Sequence, residues 1–187
     1  MSALFIPNKF EHRPDGTTRI VLERRDGTTM DCIVDTCDYE LVKGYRWSVR
    51  KQRGNVFYAQ TMIKGQRQIL MMHRLLLPDS EEGEHKNGNG LDNRRSKNLR
   101  SATRSQNAAN ISKRESGRTS KFKGVHWCKK ANRWIAKTRV NGKRVTLGQF
   151  TSESDAAYAY DDAVRKHFGT FARLNFPNSG EESAHVD

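Results

Sequence analysis

Residues 133–150 read RWIAKTRVNGKRVTLGQF, which is two strand-like runs separated by Asn141-Gly142. An Asn-Gly pair is a strong signal for a two-residue β-hairpin turn, because both residues tolerate positive φ. Side chains alternate along a strand, so the first run has two faces. One face contains Trp134 and Ala136, and the other comprises Arg133, Ile135, Lys137 and Arg139. The stretch therefore predicts a hairpin with one basic face.

The residues on either side of the hairpin complete a small module. The run FKGVHW at 122–127 predicts a third strand, and SESDAAYAYDDAVRKHFG at 152–169 predicts a helix. Ser152 with Asp155 resembles a capping box, and Gly169 is typical of a helix end. Alanines on this helix allow a close approach to a sheet, so we expect it to cover the Trp134 face. The basic face then stays open.

The order of these motifs resembles the APETALA/ethylene-response-factor DNA-binding domain across 121–177. The motifs that carry the resemblance are GV-x-W, RW-x-A, NGK, LG-x-F, AA-x-AYD and A-x-LNFP. In that family the sheet lies in the DNA major groove and the helix packs behind it. The resemblance implies DNA contacts from Lys123, His126, Arg133, Lys137, Arg139, Arg144 and Thr146.

Some contact positions depart from the family pattern. His126 and Cys128 stand where the plant proteins carry arginine, Lys137 replaces a glutamate and Thr146 replaces a tryptophan. The resemblance therefore implies a docking mode and not a target sequence.

The charge distribution favours the same partner. The net charge is +13. Residues 1–93 hold 14 Lys/Arg against 13 Asp/Glu, whereas residues 94–187 hold 20 against 8. Basic charge confined to one half is typical of a polyanion-binding surface, with nucleic acid first and anionic membrane second. Because no basic amphipathic helix and no apolar run of membrane-span length is present, we expect no membrane partner. Together with the resemblance above, the charge leads us to expect duplex DNA as the partner and no small-molecule substrate. The asymmetric, modular architecture favours a monomer.

The first seventy residues predict a small antiparallel sheet. Residues 17–34 alternate around Asp26-Gly27 as a hairpin, and DYELVK at 38–43 suits a short helix. Strand-like runs follow at YRWSVR, NVFYAQTMI and RQILMMH. Cys32, Cys37 and Cys128 are odd in number and lack zinc-site spacing, so we expect reduced thiols. Reduced thiols favour the cytoplasm, or the nucleus, as the location.

A second chemical signal is GEHKNGNGLDN at 83–93. Hydrolysis of a phosphodiester needs an activated water and a cation that stabilises charge on the phosphate. Histidine can accept the proton and hard oxygen ligands suit Mg²⁺, so Glu84-His85 supplies one group of each kind. A Glu-His pair is more often a plain surface pair, and the spacing of Asn98 and Asn107 does not decide between the two readings.

The wider run HRLLL, EHKNGNGLDNRRSKNLR and T-x-SQNAAN resembles the HNH endonucleases of the phage and intron-homing type, with their ββα-metal fold. That resemblance implies Glu84 and Asn107 as ligands of Mg²⁺ or Mn²⁺, His85 as general base and Asn98 as the residue that steadies its loop. His73 is either a further ligand or a histidine bonded within the fold. Beside such a motif, the sequence predicts phosphate contacts from Arg94, Arg95, Arg100 and Arg104. Glu84, Lys86 and Lys97 depart from the family pattern and put activity in doubt.

These observations give an α+β protein: an N-terminal antiparallel sheet leading into an HNH motif, and a separate C-terminal three-stranded sheet packed on one helix. The expected boundaries are 1–70 for the first sheet, 71–112 for the HNH motif, 113–120 for a linker, 121–178 for the DNA-binding domain and 179–187 for a tail. The predicted function is a metal-dependent HNH DNA endonuclease tethered by its C-terminal sheet. The alternatives are a non-catalytic DNA-binding, transcription-regulating protein with a degenerate nuclease half, and an RNA-binding protein.

Overall fold

The computed structural model describes residues 8–52, 55–63, 65–111, 119–178 and 182–183. The chain divides into two compact units, residues 1–101 and residues 102–187. Most of the predicted linker, residues 112–118, and most of the predicted tail lie outside the described residues. Among the described residues, no helix combines the length and the apolar character needed to cross a membrane.

The first unit contains two three-stranded antiparallel sheets. One sheet consists of β1 (Lys9–His12), β2 (Thr17–Glu23) and β3 (Thr29–Asp35), in that order. A 3₁₀ turn (Thr36–Asp38) and α1 (Tyr39–Val42) lead to the second sheet, which consists of β4 (Ser48–Lys51), β5 (Phe57–Met62) and β6 (Ile69–Met71). The predicted hairpin at 17–34 is present, whereas β1 was not predicted.

The remainder of this unit is a short helix and a strand pair. The run RQILMMH was predicted as a strand, but only Ile69–Met71 is extended and α2 (Met72–Leu76) follows at once. β7 (Glu82–His85) then pairs with β8 (Leu99–Ala102). The core of the unit is formed by Ile20, Leu22, Cys32, Val34, Val42, Trp47, Ala59, Met72, Leu76, Leu91 and Leu99.

The second unit begins with α3 (Arg104–Asn110), whose first turn is closed by a capping box between Thr103 and Gln106. The three-stranded antiparallel sheet follows, made of β9 (Val125–Cys128), β10 (Arg133–Val140) and β11 (Lys143–Phe150), with β10 in the centre. The hairpin turns at Asn141-Gly142, both with positive φ, as the sequence predicts.

One long helix covers one face of this sheet. α4 (Glu153–Phe168) starts after Ser152, whose side chain accepts a hydrogen bond from the Asp155 amide, and ends at Gly169. A 3₁₀ turn (Gly169–Phe171) leads to β12 (Arg173–Leu174), which pairs with β13 (Glu182–Ser183). The sheet and α4 enclose Phe122, Val125, Ala136, Ala156 and Ala157, with Trp134 packed against them. The α+β class and the C-terminal sheet packed on one helix are confirmed.

The HNH motif is not shown as one structural element. Its two predicted strands correspond to β7 and β8, but the helix that should complete it, α3, belongs to the second unit. There α3 contacts α4 and the 3₁₀ turn at Gly169–Phe171.

Candidate nucleic-acid interface

A β-bulge decides which side chains share a face of the C-terminal sheet. Ala136 pairs with Gly148 but Lys137 pairs with Thr146, so Leu147 is an extra residue on β11. An extra residue shifts the alternation by one position, so the side chains beyond it on the strand lie on the opposite face from the one that regular alternation would give them. Leu147 turns towards α4 and packs on the core, while Thr146 and Arg144 come to the same face as Lys137.

We call the face of this sheet turned away from α4 the open face. Directly paired residues of an antiparallel sheet lie on the same side, so the register identifies its members. The open face consists of His126, Cys128, Arg133, Ile135, Lys137, Arg139, Arg144, Thr146 and Gln149. Arg133, Arg139, Arg144, Thr146 and Gln149 are exposed on it. Six of the seven predicted DNA contacts of this module are therefore brought together, and their contact with DNA stays a prediction.

The electrostatics of His126 reflect this concentration of charge. Partial burial, followed by the positive charges of Lys137 and Arg144, lowers the pKa of its imidazole. A histidine with a pKa below its ordinary value of about 6.5 is neutral at neutral pH. The open face thus carries cations around a neutral imidazole.

Lys123 is the seventh predicted contact, and the structure places it elsewhere. Its ammonium donates to the carbonyl oxygen of Ala109 in α3. Burial, with a smaller contribution from the charge of Arg173, lowers the pKa of Lys123 to about 7. Its side chain therefore joins α3 to the sheet module, which a strand alternation pattern cannot reveal.

The position of Lys123 predicts that stability of the second unit rises with pH above neutrality. Its pKa is about 7 when folded and 10.5 ordinarily, so between these values the unfolded chain binds more protons. The free energy of unfolding should then rise by up to ~1.4 kcal/mol per pH unit. Amide hydrogen exchange of β10 and β11, corrected for the intrinsic rate at each pH, measures this slope.

The matched variant for that measurement is Lys123→Met, which keeps the length of the side chain and removes the titrating group. It should flatten the slope while leaving DNA affinity nearly unchanged. A slope that persists in the variant would assign the pH dependence to another group.

Three of the four arginines predicted as phosphate contacts have carboxylate partners inside the first unit, and the fourth, Arg104, lies on α3 in the second unit. Arg94 binds Asp92 with two short hydrogen bonds, of 2.7 and 2.6 Å. Arg95 pairs with the fully buried Asp38. Arg100 Nε lies 2.5 Å from Glu84 Oε2, and Glu84 is 1% exposed. The structure gives these three arginines a role in folding, and the predicted phosphate contacts stay a prediction.

His85 lies in a buried polar cluster. Its Nε2 is 3.1 Å from Asn93 Oδ1. The Asn93 amide nitrogen donates to Cys32 Sγ and the Gly90 carbonyl, so its oxygen is the acceptor and His85 Nε2 the donor. Burial lowers the pKa of His85. The imidazole is therefore held neutral.

His73 packs edge-on against His85 at 5.4 Å between ring centroids, and burial lowers its pKa to about 4. This contact favours the interpretation of His73 as a histidine packed within the fold.

Asn98 joins the two ends of the loop that follows His85. Its Oδ1 accepts from the Asn87 amide at 2.9 Å and its Nδ2 donates to the Asp92 carbonyl at 2.6 Å. The same loop also bonds to Ile33 of β3. The Ile33 amide donates to the Leu91 carbonyl, and the Asn93 amide donates to the Ile33 carbonyl. The asparagines of this stretch therefore perform turn and docking functions in the first unit.

Asn107, the other predicted metal ligand, lies on α3 in the second unit, whereas Glu84 lies on β7 in the first. Across the ranges that the structure describes, no group of three or more His, Cys, Asp or Glu side chains could hold a metal ion. Since Glu84 faces a guanidinium, its carboxylate already has a cationic partner in this fold. Metal ligation by Glu84 and Asn107 stays a prediction.

Sequence reasoning missed Asp161, which links α4 to the chain that follows it. Asp161 is 2% exposed and accepts hydrogen bonds from the backbone amides of Asn175 and Phe176, at 2.9 and 2.8 Å, and from the Asn175 side chain. Burial raises the pKa of Asp161, and these hydrogen bonds oppose the shift. Asn175 in turn binds the backbone of Lys123 in both directions. The sequence did contain one signal for this role, because Asp161 is an acidic residue within the otherwise apolar stripe of the helix.

Gln149 was also missed. It shares the open face with the cations, and only the register across the bulge reveals this.

Part of the chain is similar to known proteins. No protein-family model matches it. The ethylene-responsive transcription factor ERF024 of Arabidopsis thaliana is 41% identical over 70 residues, which is 36% of this chain and 38% of that protein. The dehydration-responsive element-binding protein 2A of the same plant is 43% identical over 63 residues, 31% of this chain and 18% of that protein. Protein 2D of that series is 43% identical over 63 residues, 31% of this chain and 29% of that protein. The chain thus spans well under half the length of these relatives.

The prediction of an HNH DNA endonuclease is wrong, because the relatives carry the names of a transcription factor and of element-binding proteins, not of nucleases. Nothing in the comparisons supports an HNH part or a cytoplasmic location. The relatives do match the other resemblance seen in the sequence, the one to the ethylene-response-factor family. The similarities support an ethylene-response-factor-type DNA-binding domain in this chain, and the proteins it is similar to are named as an ethylene-responsive transcription factor and as dehydration-responsive element-binding proteins.

Proposed function

We propose that the chain is a non-catalytic, duplex-DNA-binding protein of the transcription-regulating kind, which docks the open face of its C-terminal sheet into the major groove. The observation that carries this proposal is the bulge at Leu147, because it gathers Lys137, Arg139 and Arg144 on the face that α4 leaves uncovered. The names of the relatives, transcription factors and element-binding proteins, support the same function.

The dimensions of the sheet fit a major groove. Adjacent strands lie about 4.8 Å apart, so three strands are roughly 10 Å wide between their outer axes. The major groove of B-DNA is about 12 Å wide and admits secondary structure of this size. The deep, narrow major groove of A-form RNA does not, which favours DNA over the RNA-binding alternative.

The charge of the module supplies the affinity. Each lysine or arginine that neutralises a phosphate releases bound counterions, so affinity falls steeply with salt. The exposed Arg139 and Arg144 lie directly opposite each other across β10 and β11. Two cations paired across strands repel each other in the free protein, and a phosphate between them would relieve that repulsion.

Arg139→Ala in the full chain tests the proposal. Binding to a labelled duplex, followed by fluorescence anisotropy between roughly 50 and 200 mM salt, should weaken with a steep slope for the wild type. The variant should bind more weakly and lose about one unit of the logarithmic salt slope. Lys166→Ala is the matched control, since Lys166 is exposed on α4, behind the sheet.

Three results would contradict the proposal. Affinity that does not change with salt would remove the electrostatic interface, and stronger competition by duplex RNA would favour the RNA-binding alternative. Nicking of a plasmid that depends on His85 would overturn the non-catalytic assignment.

A further inference from the structure

Three uncharged residues form one row across the open face. Ile135 on the central strand pairs with His126 of β9 on one side and with Gln149 of β11 on the other. Since paired residues lie on the same side of an antiparallel sheet, His126, Ile135 and Gln149 are neighbours on the open face. We call them the neutral row.

Cations lie on both sides of the neutral row along the strands. Arg133 precedes Ile135 by two residues on β10, and Lys137 and Arg139 follow it on the same face. Residues two apart on a strand are separated by about 6.6 Å, close to the rise of two base pairs. The face from Arg133 to Arg139 therefore spans roughly six base pairs, with the neutral row nearer one end.

The three members of the row differ in what they offer to a groove. Ile135 is 8% exposed, so it acts as a packed support and presents little surface. His126 is partly buried. Gln149 is exposed, at the edge strand of the sheet, with an amide that both donates and accepts. An uncharged amide gains little from a phosphate compared with the arginines around it, but it matches the edge of a base.

The geometry points to Gln149 as a sequence-reading residue that recognises adenine in the major groove. Glutamine binds the N6 and N7 positions of adenine with two hydrogen bonds, and no other base presents that pattern in the major groove. Ile135 is buried and lies directly opposite Gln149 across the two strands. This inference rests on the proposed function, because it requires the open face to lie in the groove.

Selection of binding sites from a random duplex library tests this inference, with full-length wild type and Gln149→Ala compared. Wild type should enrich a short site that contains an adenine at one defined position, preferred on the order of 10-fold over other bases. Gln149→Ala should lose the preference at that position and keep the preferences elsewhere. Gln149→Glu should move the preference at the same position towards cytosine, whose N4 amino group donates to a carboxylate.

Gln68→Ala is the control, because Gln68 is an exposed glutamine of the first unit. It should select the wild-type site. If Gln149→Ala retains every positional preference, or weakens all sequences equally, Gln149 is not a reading residue and the proposed function still stands. If wild type binds no duplex and enriches no site, the proposed function itself fails.

Discussion

Gly124→Ala is expected to unfold a large fraction of the second unit. Gly124 has φ of 77°, and a Cβ added there would lie 1.9 Å from Cδ2 of the Tyr160 ring. The left-handed conformation costs an alanine about 1–2 kcal/mol, and overpacking against a buried ring adds roughly 1–3 kcal/mol. Tyr160 is 4% exposed on α4, so its ring cannot move aside unless the helix moves. Amide hydrogen exchange of β10 and β11 should show the loss, with β2 and β3 of the first unit as internal reference.

Gly142→Ala separates the two contributions. Gly142 has φ of 76° at the hairpin turn, but a Cβ there meets nothing within 4 Å. The two substitutions therefore share the backbone strain and differ only in steric overlap. Equal destabilisation of both variants would show that Tyr160 does not confine Gly124.

Asp161→Ala should destabilise the same unit by about 2–4 kcal/mol, because buried donors left without an acceptor cost about 1–3 kcal/mol each. The substitution removes the acceptor of the Asn175 and Phe176 amides and of the Asn175 side chain. The Asn175 side chain also forms two hydrogen bonds with the backbone of Lys123, so the segment that leads into β9 should loosen together with the segment after α4. Hydrogen exchange at the amides of Asn175 and Phe176 reports the loss directly.

The neighbouring residue provides the control for Asp161. Asp162 has a side chain that is 80% exposed and pairs only at the surface with Arg165, at 3.3 Å. Surface pairs of this kind contribute about 0–1 kcal/mol, so Asp162→Ala should change little. Asp161→Asn keeps one oxygen acceptor and should recover part of the stability. Equal effects of Asp161→Ala and Asp162→Ala would contradict the structural role assigned to Asp161.

Local patterns in the sequence predicted the elements that depend on local chemistry. The hairpin at Asn141-Gly142, the cap at Ser152 and the helix end at Gly169 each follow from the residues at that position and its close neighbours. The open face was predicted as far as Lys137 and Arg139, because alternation is regular along β10.

Features that depend on distant partners were not predictable. The bulge at Leu147 has no sequence signature here, so Gln149 was not assigned to the face it shares with Arg139. Arg95 was interpreted as a phosphate contact because nothing local indicates Asp38, which lies 57 residues away. The same limitation applies to Lys123 and the carbonyl of Ala109. A cation is visible in a sequence, whereas its partner depends on the tertiary fold.

The extra residue at Leu147 has a consequence for how this surface can change over evolution. Substitutions between Asn141 and Phe150 alter one contact at a time and leave the others on their own side. Loss of Leu147 would restore regular pairing and leave Thr146 and Arg144 opposite Lys137 and Arg139, on the open face. Regular pairing that kept Leu147 would instead carry Arg144 and Thr146 to the helix side, although neither side chain had changed. The side on which Arg144 and Thr146 lie therefore depends on the pairing register more than on their own identity, so a register that sets them opposite Arg139 and Lys137 is the constraint to look for among descendants of this chain.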